Sequence, residues 1–363
     1  MPHLFKKRFV ALVFAALLAG ASSRALAESD LIGTAGPIRA FGGANCAADA
    51  GSPANCELPK LDPSASAKQR TDIRIARIRW FIGHFQEQAA LLELDAAIAD
   101  NPMDTSALLL RGRLRIPGQL AEAIKDMNRV LNIEPNNPDA LATRAFILAG
   151  QDSRAAEKDI DAAISLQPKN PDARWIRANI LAGGRRFAEA EADLTAALAI
   201  NNGDTRARLS RARMRLHQGN PCGAEDDASE ILKHQGNPAA IEIRAIARTL
   251  GHDYEGALGD FDRILPSSSD PQAAQPQGPG LVNLYVQRAM ILIKLGRVTE
   301  AKRDFETITA QGGQRELLQI QLYLRSHGMP DTPLDGKDSD QLHEAIKSCF
   351  INDACGRGLT LRT

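Results

Sequence analysis

An arginine and an acidic residue recur together through the middle of the chain. In every case the acid follows its arginine by 15 or 16 residues. That separation spans a helical hairpin, so the two side chains can meet across its helices and form an ion pair. The seven pairs are Arg77 and Glu93, Arg111 and Asp126, Arg144 and Asp159, Arg177 and Asp193, Arg211 and Asp227, Arg244 and Asp260, and Arg288 and Asp304.

These arginine–acid pairs have two interpretations. They could form a charged ladder that lines a binding groove, or structural ion pairs that fix the register of two helices. Their presence in every repeat of the sequence favours the structural interpretation. Losing one partner of a partly buried pair costs several kcal/mol, whereas an exposed pair contributes only about 0–1 kcal/mol.

The five cysteines are the next candidates for chemistry. Cys46 and Cys56 would close a short loop, Cys349 and Cys355 would close another near the C-terminus, and Cys222 is left alone. No C-x-x-C motif occurs and no histidine lies at ligand spacing from the two pairs, which argues against metal binding. In an oxidising compartment we expect two local disulfides, with free thiols as the alternative.

Catalytic signatures are missing from the sequence. It has no G-x-x-x-x-G-K-S/T, G-x-S-x-G, H-E-x-x-H or G-x-G-x-x-G motif. His84, His217 and His252 fall at the ends of predicted helices or in turns, and Cys222 follows Asn220-Pro221 without a base nearby. We therefore expect no enzymatic activity, no cofactor and no metal.

The elements that position the arginines are copies of one repeat. Each arginine from Arg111 onward is followed by glycine or alanine, at steps of 33, 33, 34, 33 and 44 residues, and a downstream alanine moves in the same register. The long step coincides with a proline- and glycine-rich insertion, residues 266–280. In the third copy the apolar pattern predicts helices over Ala140–Leu148 and Ala155–Leu166. One such hairpin cannot bury its apolar face alone, so the copies must stack.

Residues 71–313 resemble the tetratricopeptide repeat family. The resemblance rests on the small residue of the first helix and the alanine that opens the second. It departs from the family pattern at Asn202, Gln235-Gly236 and Ser267, and most hallmark aromatic residues are missing. It implies an all-α, right-handed solenoid of about seven hairpins with a C-terminal capping helix and a small helical tail. Further matching residues are a second alanine in three copies (Ala97, Ala163, Ala197) and a closing proline (Pro102, Pro135, Pro168).

The same resemblance implies a binding surface. In such arrays the first helices line a concave face that takes a protein or a peptide. Trp175 is the best candidate anchor there, because aromatic side chains dominate interface energetics; the alternative is that it fills space between neighbouring repeats. The residues that map to this face are Arg79, Arg113, Trp175, Asn179, Arg213 and Glu242.

The C-terminal segment, residues 314–363, has two interpretations. The simpler is a helix over Glu316–Ser326 that caps the last repeat, followed by a tail with a second helix from about Ser339 to Phe350. The segment also resembles peptidoglycan-binding modules of the three-helix type, although Asp338-Ser339 departs from their pattern. This resemblance rests on Ile320-Gln321, Leu324, Gly328, Leu334-Asp335-Gly336 and Ala345-Ile346.

The first 27 residues predict an export signal. Lys6, Lys7 and Arg8 precede an apolar stretch of twelve residues, and Ala25-Leu26-Ala27 offers a cleavage site before Glu28. The apolar stretch is shorter than the roughly 20 residues that a membrane span needs, which argues against an uncleaved anchor. We expect a periplasmic protein without a stable membrane span after cleavage, with a Gly/Ala/Pro-rich linker over residues 28–70.

Composition narrows the function classes further. The chain has 363 residues, of which 44% are hydrophobic and 24% charged, so it is globular. Its 44 basic and 44 acidic residues balance, which excludes a general electrostatic affinity for nucleic acid. We therefore expect a non-catalytic scaffold for protein–protein interaction. The alternative is a cell-envelope protein that binds peptidoglycan through its C-terminal segment, with the repeats as a spacer.

Overall fold

The computed structural model describes residues 67–234, 236–265, 279–311, 313–326, 329 and 331–351. The predicted signal peptide, most of the predicted linker and three of the paired cysteines (Cys46, Cys56 and Cys355) lie outside these residues, so both predicted disulfides do too. Within them the chain forms sixteen α-helices and no strand, which confirms the all-α prediction. The helices are α1 Ala67–Gly83, α2 Glu87–Asp100, α3 Thr105–Arg115, α4 Leu120–Ile133, α5 Pro138–Leu148, α6 Ser153–Leu166, α7 Pro171–Gly183, α8 Phe187–Ile200, α9 Thr205–His217, α10 Pro221–Leu232, α11 Pro238–Leu250, α12 Tyr254–Ile264, α13 Pro279–Lys294, α14 Val298–Gln311, α15 Gln314–Ser326 and α16 Asp340–Ile351.

The helices pair into hairpins, in which each odd-numbered helix from α1 to α13 packs against the even-numbered helix that follows it. The chain divides into two compact units, with the boundary between Gly203 and Asp204. Among the described residues the first unit holds α1 to α8, which are four hairpins. The second holds α9 to α14, which are three hairpins, together with α15 and α16.

An aspartate or asparagine side chain caps the N-terminus of most odd-numbered helices. The side chain of Asn137 accepts a hydrogen bond from the backbone N–H of Ala140 at 2.9 Å, and Asp104 and Asp204 cap α3 and α9 in the same way at 3.0 Å. This satisfies a donor that the first turn would otherwise leave unpaired. Because proline fits the first turn, α5 starts at Pro138, before the apolar pattern begins, and α13 starts at Pro279, inside the predicted insertion.

Small residues lie where the two helices of a hairpin approach each other. Ala90, Ala123 and Ala156 are fully buried at the openings of α2, α4 and α6. On α3 a Cβ atom added to Gly112 would lie 2.4 Å from the end of the Met127 side chain. Larger residues such as Leu94 fill the space beside these contacts. The alternation of small and large residues sets the spacing of the helices.

Five of the seven turns between the two helices of a hairpin contain a residue with positive φ. Gly219 and Gly296 adopt φ near +73° in two of them, and Phe85, Arg185 and His252 adopt φ between +57° and +64° in three others. The turn ends in each case with a hydrogen bond back into the last turn of the odd-numbered helix, as from Arg186 N–H to the Leu181 carbonyl at 2.9 Å. Non-glycine residues there carry a steric cost.

The last two helices extend the core of the second unit. Ile320 and Leu324 on α15 and Leu342 on α16 are buried in the same apolar cluster as Phe305 and Ile308 on α14. The observed helix ends lie within two residues of the predicted ones. In this position α15 and α16 cover the apolar face of the last hairpin.

Candidate functional site

All seven predicted arginine–acid pairs are formed, one in each hairpin. We call this series of pairs the ladder and each pair a rung. In six of them the arginine donates from Nε and Nη2 to the two carboxylate oxygens of an aspartate, at N–O distances of 2.5 to 3.0 Å. In the first hairpin Arg77 donates from the same two nitrogens to one oxygen of Glu93, at 2.7 and 2.6 Å. Each pair joins an odd-numbered helix to its partner, as the spacing requires.

The aspartates of the ladder are buried, and the last pair is the most buried. Asp304 is 0% exposed and Arg288 is 2% exposed. A buried carboxylate is costly unless charged donors satisfy it. In the third hairpin the hydrogen bond to Asp159 raises the pKa of Arg144 above its ordinary value, while burial opposes the rise. The hydrogen bond to Asp159 thus favours the charged form of Arg144 inside the fold.

Four ladder arginines also join consecutive hairpins, which the sequence reasoning missed. Their Nη1 atoms donate to a side chain on the even-numbered helix of the preceding hairpin. That acceptor always follows the preceding ladder acid by two residues, and this spacing is the signal that would have found it. The pairs are Arg111 and Asp95 at 2.7 Å, Arg144 and Asn128 at 2.8 Å, Arg177 and Asp161 at 3.0 Å, and Arg288 and Asp262 at 3.1 Å.

A second arginine reinforces three rungs of the ladder. Arg115, Arg215 and Arg248 each lie four residues after a ladder arginine, on the same side of the helix. Their Nη1 atoms lie 2.8, 2.9 and 2.9 Å from the Oδ2 atoms of the corresponding ladder aspartates. These arginines were also absent from the sequence prediction, although the four-residue spacing signals them.

The odd-numbered helices of neighbouring hairpins also touch one another directly. Arg113 on α3 donates to Asp139 at 2.9 Å and to Thr143 at 3.2 Å, both on α5. The rings of Phe146 and Trp175 stack with their centroids 6.3 Å apart, joining α5 to α7. In each unit, we call the surface that the odd-numbered helices present, away from their even-numbered partners, the odd-helix face of that unit.

Trp175 is not an exposed anchor on this face. Its side chain is only 5% exposed and packs against Phe146. Of the two interpretations of Trp175, the structure therefore supports packing between neighbouring repeats, because burial leaves no aromatic surface for a partner. Arg113 is likewise engaged with the next hairpin.

The other four predicted face residues lie in different environments. Arg79 on α1 and Asn179 on α7 are exposed. Arg213 on α9 and Glu242 on α11 are half-buried in the second unit. Burial raises the pKa of the Glu242 carboxyl above its ordinary value, and the charge of Arg213 offsets this only in part.

Three of the C-terminal residues that resemble a peptidoglycan-binding module, Gln321, Asp335 and Gly336, meet where a buried glutamine holds a turn. Gln321 is 0% exposed. Its Nε2 donates to Asp335 Oδ1 at 2.9 Å and to the Lys337 carbonyl at 3.1 Å, and its Oε1 accepts from the N–H groups of Asp335 and Gly336 at 3.1 and 2.8 Å. Gly336 has φ +64°. These side chains are used inside the fold, and Gly328 lies outside the described residues.

The described parts of the chain can be checked for metal ligands, for membrane-spanning helices and for the remaining cysteine and histidine candidates. They contain no group of three or more His, Cys, Asp or Glu residues that could hold a metal ion. They also contain no helix with the length and apolar character to cross a bilayer. Cys222 is an exposed free thiol, and His84 lies 2.8 Å from the Trp80 carbonyl at a helix end.

Sequence comparison identifies the repeat in two places. A family model described as a tetratricopeptide repeat matches residues 148–205, and a second model with the same description matches residues 282–309. Cellulose synthase operon protein C of Xanthomonas axonopodis pv. citri (strain 306) is 30% identical over 133 residues, which are 36% of this chain and 9% of that protein. The chain thus spans less than a tenth of the length of this curated relative.

Solved structures share the fold at low identity. PilW, described as a type IV pilus biogenesis factor, is 16% identical with a TM-score of 0.52, covering 59% of this chain and 97% of its own. The APC/C hetero-tetramer Cut9–Hcn1 is 13% identical with a TM-score of 0.52, covering 80% of this chain and 56% of that one. Residues 148–205 and 282–309 are therefore tetratricopeptide repeats, and the chain folds as tandem helical hairpins of this type.

Proposed function

We propose that this protein is an exported, non-catalytic scaffold that binds a protein or peptide partner through its odd-helix face. One observation carries the proposal. The position two residues after each ladder arginine lies on this face, and the type of side chain at this position differs from hairpin to hairpin. The ladder position, in contrast, carries an arginine paired with an acid in every hairpin. In chain order these face residues are Arg79, Arg113, Phe146, Asn179, Arg213, Ile246 and Met290.

Variable side chains on the odd-helix face, held by hairpins that all share the same ladder pair, suit the recognition of an extended partner. Within each unit, stacked hairpins place one face residue after another along the odd-numbered helices, so a peptide can meet a series of different side chains. A chain of the APC/C hetero-tetramer Cut9–Hcn1 shares the fold, and that structure is an assembly of protein partners. Exposed Arg79 and Asn179 offer polar contacts, and half-buried Phe146 and Ile246 offer apolar ones.

Site-specific photo-crosslinking tests this surface. A benzoylphenylalanine residue at position 179 lies on the odd-helix face, and one at the exposed position 158 lies on the even-numbered helix α6. The protein is expressed with its signal, and residues 28–363 are the form expected after cleavage. We expect this form to give a discrete crosslinked adduct from position 179 and none from position 158. Adducts of equal yield from both positions, or adducts from position 158 alone, would refute binding through this face.

The export part of the proposal rests on the N-terminal sequence. The basic residues Lys6, Lys7 and Arg8, the apolar stretch and the Ala25-Leu26-Ala27 site support it. Fractionation of cells that express the tagged protein should place it in the periplasm, with Glu28 as its first residue by mass spectrometry. A full-length protein in the cytoplasmic fraction would contradict export and leave the binding proposal to its own test.

We do not extend the proposal to cell-wall binding. Gln321, Asp335 and Gly336 satisfy one another's hydrogen bonds, so the residues of that resemblance have a sufficient role in the fold.

A further inference from the structure

Glu242 is the half-buried acid of the odd-helix face in the second unit. It lies on α11 between Ile241 and Ile243, which are both buried in the protein. Its own side chain is partly shielded from water, and no hydrogen bond or ion pair joins it to another described residue. Arg213, on α9, is the charged group that acts on it, and this attraction is weaker than the opposing effect of burial.

Comparable acids elsewhere in the described chain have a donor. The half-buried Glu157 accepts from Arg186 at 2.9 Å, and the half-buried Glu225 accepts from Arg248 at 2.8 Å. The buried ladder aspartates accept from one or two arginines. A shielded carboxylate without a donor is costly, because water no longer solvates it fully and no protein group replaces the water.

We infer that Glu242 receives a basic side chain, lysine or arginine, of the bound partner. The inference rests on the proposed function, since it assigns the chemistry of one position in the partner. A cation placed at this carboxylate would supply the missing donor in a shielded setting, where a charge-assisted hydrogen bond is strong. The side chain of Ile246, one helical turn further along α11, is half-buried and offers an apolar surface for the aliphatic stem of the basic residue.

Arg213 limits this specificity and provides a way to test it. Its positive charge already acts on Glu242, so it competes with the incoming cation for the same carboxylate. Removing that charge with Arg213→Gln should therefore increase the preference for a basic residue. Removing the carboxylate with Glu242→Gln, which keeps size and polarity, should abolish it.

Matched synthetic peptides provide the experiment. A panel of dodecapeptides of varied sequence is made in four forms each, with Lys, Arg, Gln or Glu at one central position, and dissociation constants are measured for residues 28–363 and the two variants. Among the peptides that bind, we expect the Lys and Arg forms to bind roughly tenfold more tightly than the Gln form. Glu242→Gln should reduce this ratio to near one, and Arg213→Gln should raise it.

The other outcomes distinguish failure of the inference about Glu242 from failure of the proposed scaffold function. A basic preference that persists in Glu242→Gln, or no basic preference at all, would overturn the inference while peptide binding itself still supports the proposed function. If no peptide binds but position 179 still crosslinks to a partner, the inference fails and the scaffold proposal stands. If neither occurs, both fail. The thermal midpoint of Glu242→Gln, which should not fall, shows that the variant is folded.

Discussion

The ladder and the odd-helix face are built from the same helices and differ by two residues in position. Two residues along an α-helix correspond to about 200° of rotation, so neighbours at this spacing point to nearly opposite sides. On one side each arginine is bonded to an acid of its own hairpin, and several are bonded to the preceding hairpin as well. On the other side the residues follow no common chemistry. Under the proposed function, recognition and stabilisation of the fold use different sides of each odd-numbered helix from α1 to α13.

Breaking the most buried rung should have the largest effect on stability. Asp304→Ala leaves the guanidinium of Arg288 buried without its bidentate partner. We expect a loss of about 3–5 kcal/mol in the free energy of unfolding. Chemical denaturation followed by far-UV circular dichroism measures it.

A double replacement separates charge from packing at this rung. Arg288→Met combined with Asp304→Leu removes both charges and keeps apolar volume, so it should recover most of the lost stability. If Asp304→Ala alone changes the unfolding midpoint no more than an exposed substitution such as Lys158→Ala does, the ladder has no structural role.

Trp175 and Asn179 test which residues of α7 stabilise the fold and which are available for recognition. Trp175→Ala removes a buried ring that stacks on Phe146, and we expect a loss of about 3 kcal/mol. Asn179→Ala, one helical turn away on the exposed part of the face, should change stability by less than about 0.5 kcal/mol. Equal unfolding midpoints for the two variants would contradict the assignment of Trp175 to packing.

The turn at Gly336 in the C-terminal segment gives a smaller effect. Alanine at Gly336 would adopt φ +64° and place its Cβ 2.4 Å from the Gln314 carbonyl oxygen. We expect Gly336→Ala to cost about 2 kcal/mol. Hydrogen exchange should speed up in α15 and α16 and stay unchanged in α1 to α8; unchanged exchange in α15 would show that the turn does not hold the segment together.

The positive-φ turns allow a stabilising change. Arg185→Gly removes a side chain from a left-handed backbone position and should stabilise the fold by about 0.4–1 kcal/mol, whereas Gly296→Ala should destabilise it by a similar amount. Thermal melts of the two variants measured side by side test this. Shifts of the same sign in both would exclude backbone strain as the cause.

Glu242 gives the smallest effect, and the size of this effect depends on pH. Because the folded-state pKa of Glu242 is raised, its ionisation reduces stability as the pH rises through and above the ordinary glutamate value of about 4.3. Glu242→Gln should therefore be more stable than the natural protein at neutral pH, and the difference should shrink as the pH is lowered. A neutral-pH melting point below that of the natural protein would show that Glu242 has a stabilising partner.

The fold and the ladder were accessible from the sequence because both depend on spacing along the chain. The 33-residue period and the 15- to 16-residue separation fix which side chains meet within a hairpin. The contact of Arg111 with Asp95 has a signal in the spacing, because Asp95 follows the preceding ladder acid by two residues. The 33-residue period alone does not define this contact, since it also depends on how far one hairpin is offset from the next. The burial of Trp175 depends on Phe146 in the neighbouring hairpin. Glu242 has no hydrogen-bond partner among the described residues, and a sequence pattern carries no signal for such an absence.

The central claim is that recognition and stability belong to different sides of the odd-numbered helices. Its most direct test measures two quantities, partner capture and thermal midpoint, for Arg79→Ala and Asn179→Ala on the face and for Asp126→Ala and Asp193→Ala on the ladder, with the partner identified by crosslinking. We predict that the face variants lose capture at an unchanged midpoint and that the ladder variants lose midpoint. Face variants that melt as early as the ladder variants, or that capture the partner as well as the natural protein does, would contradict it.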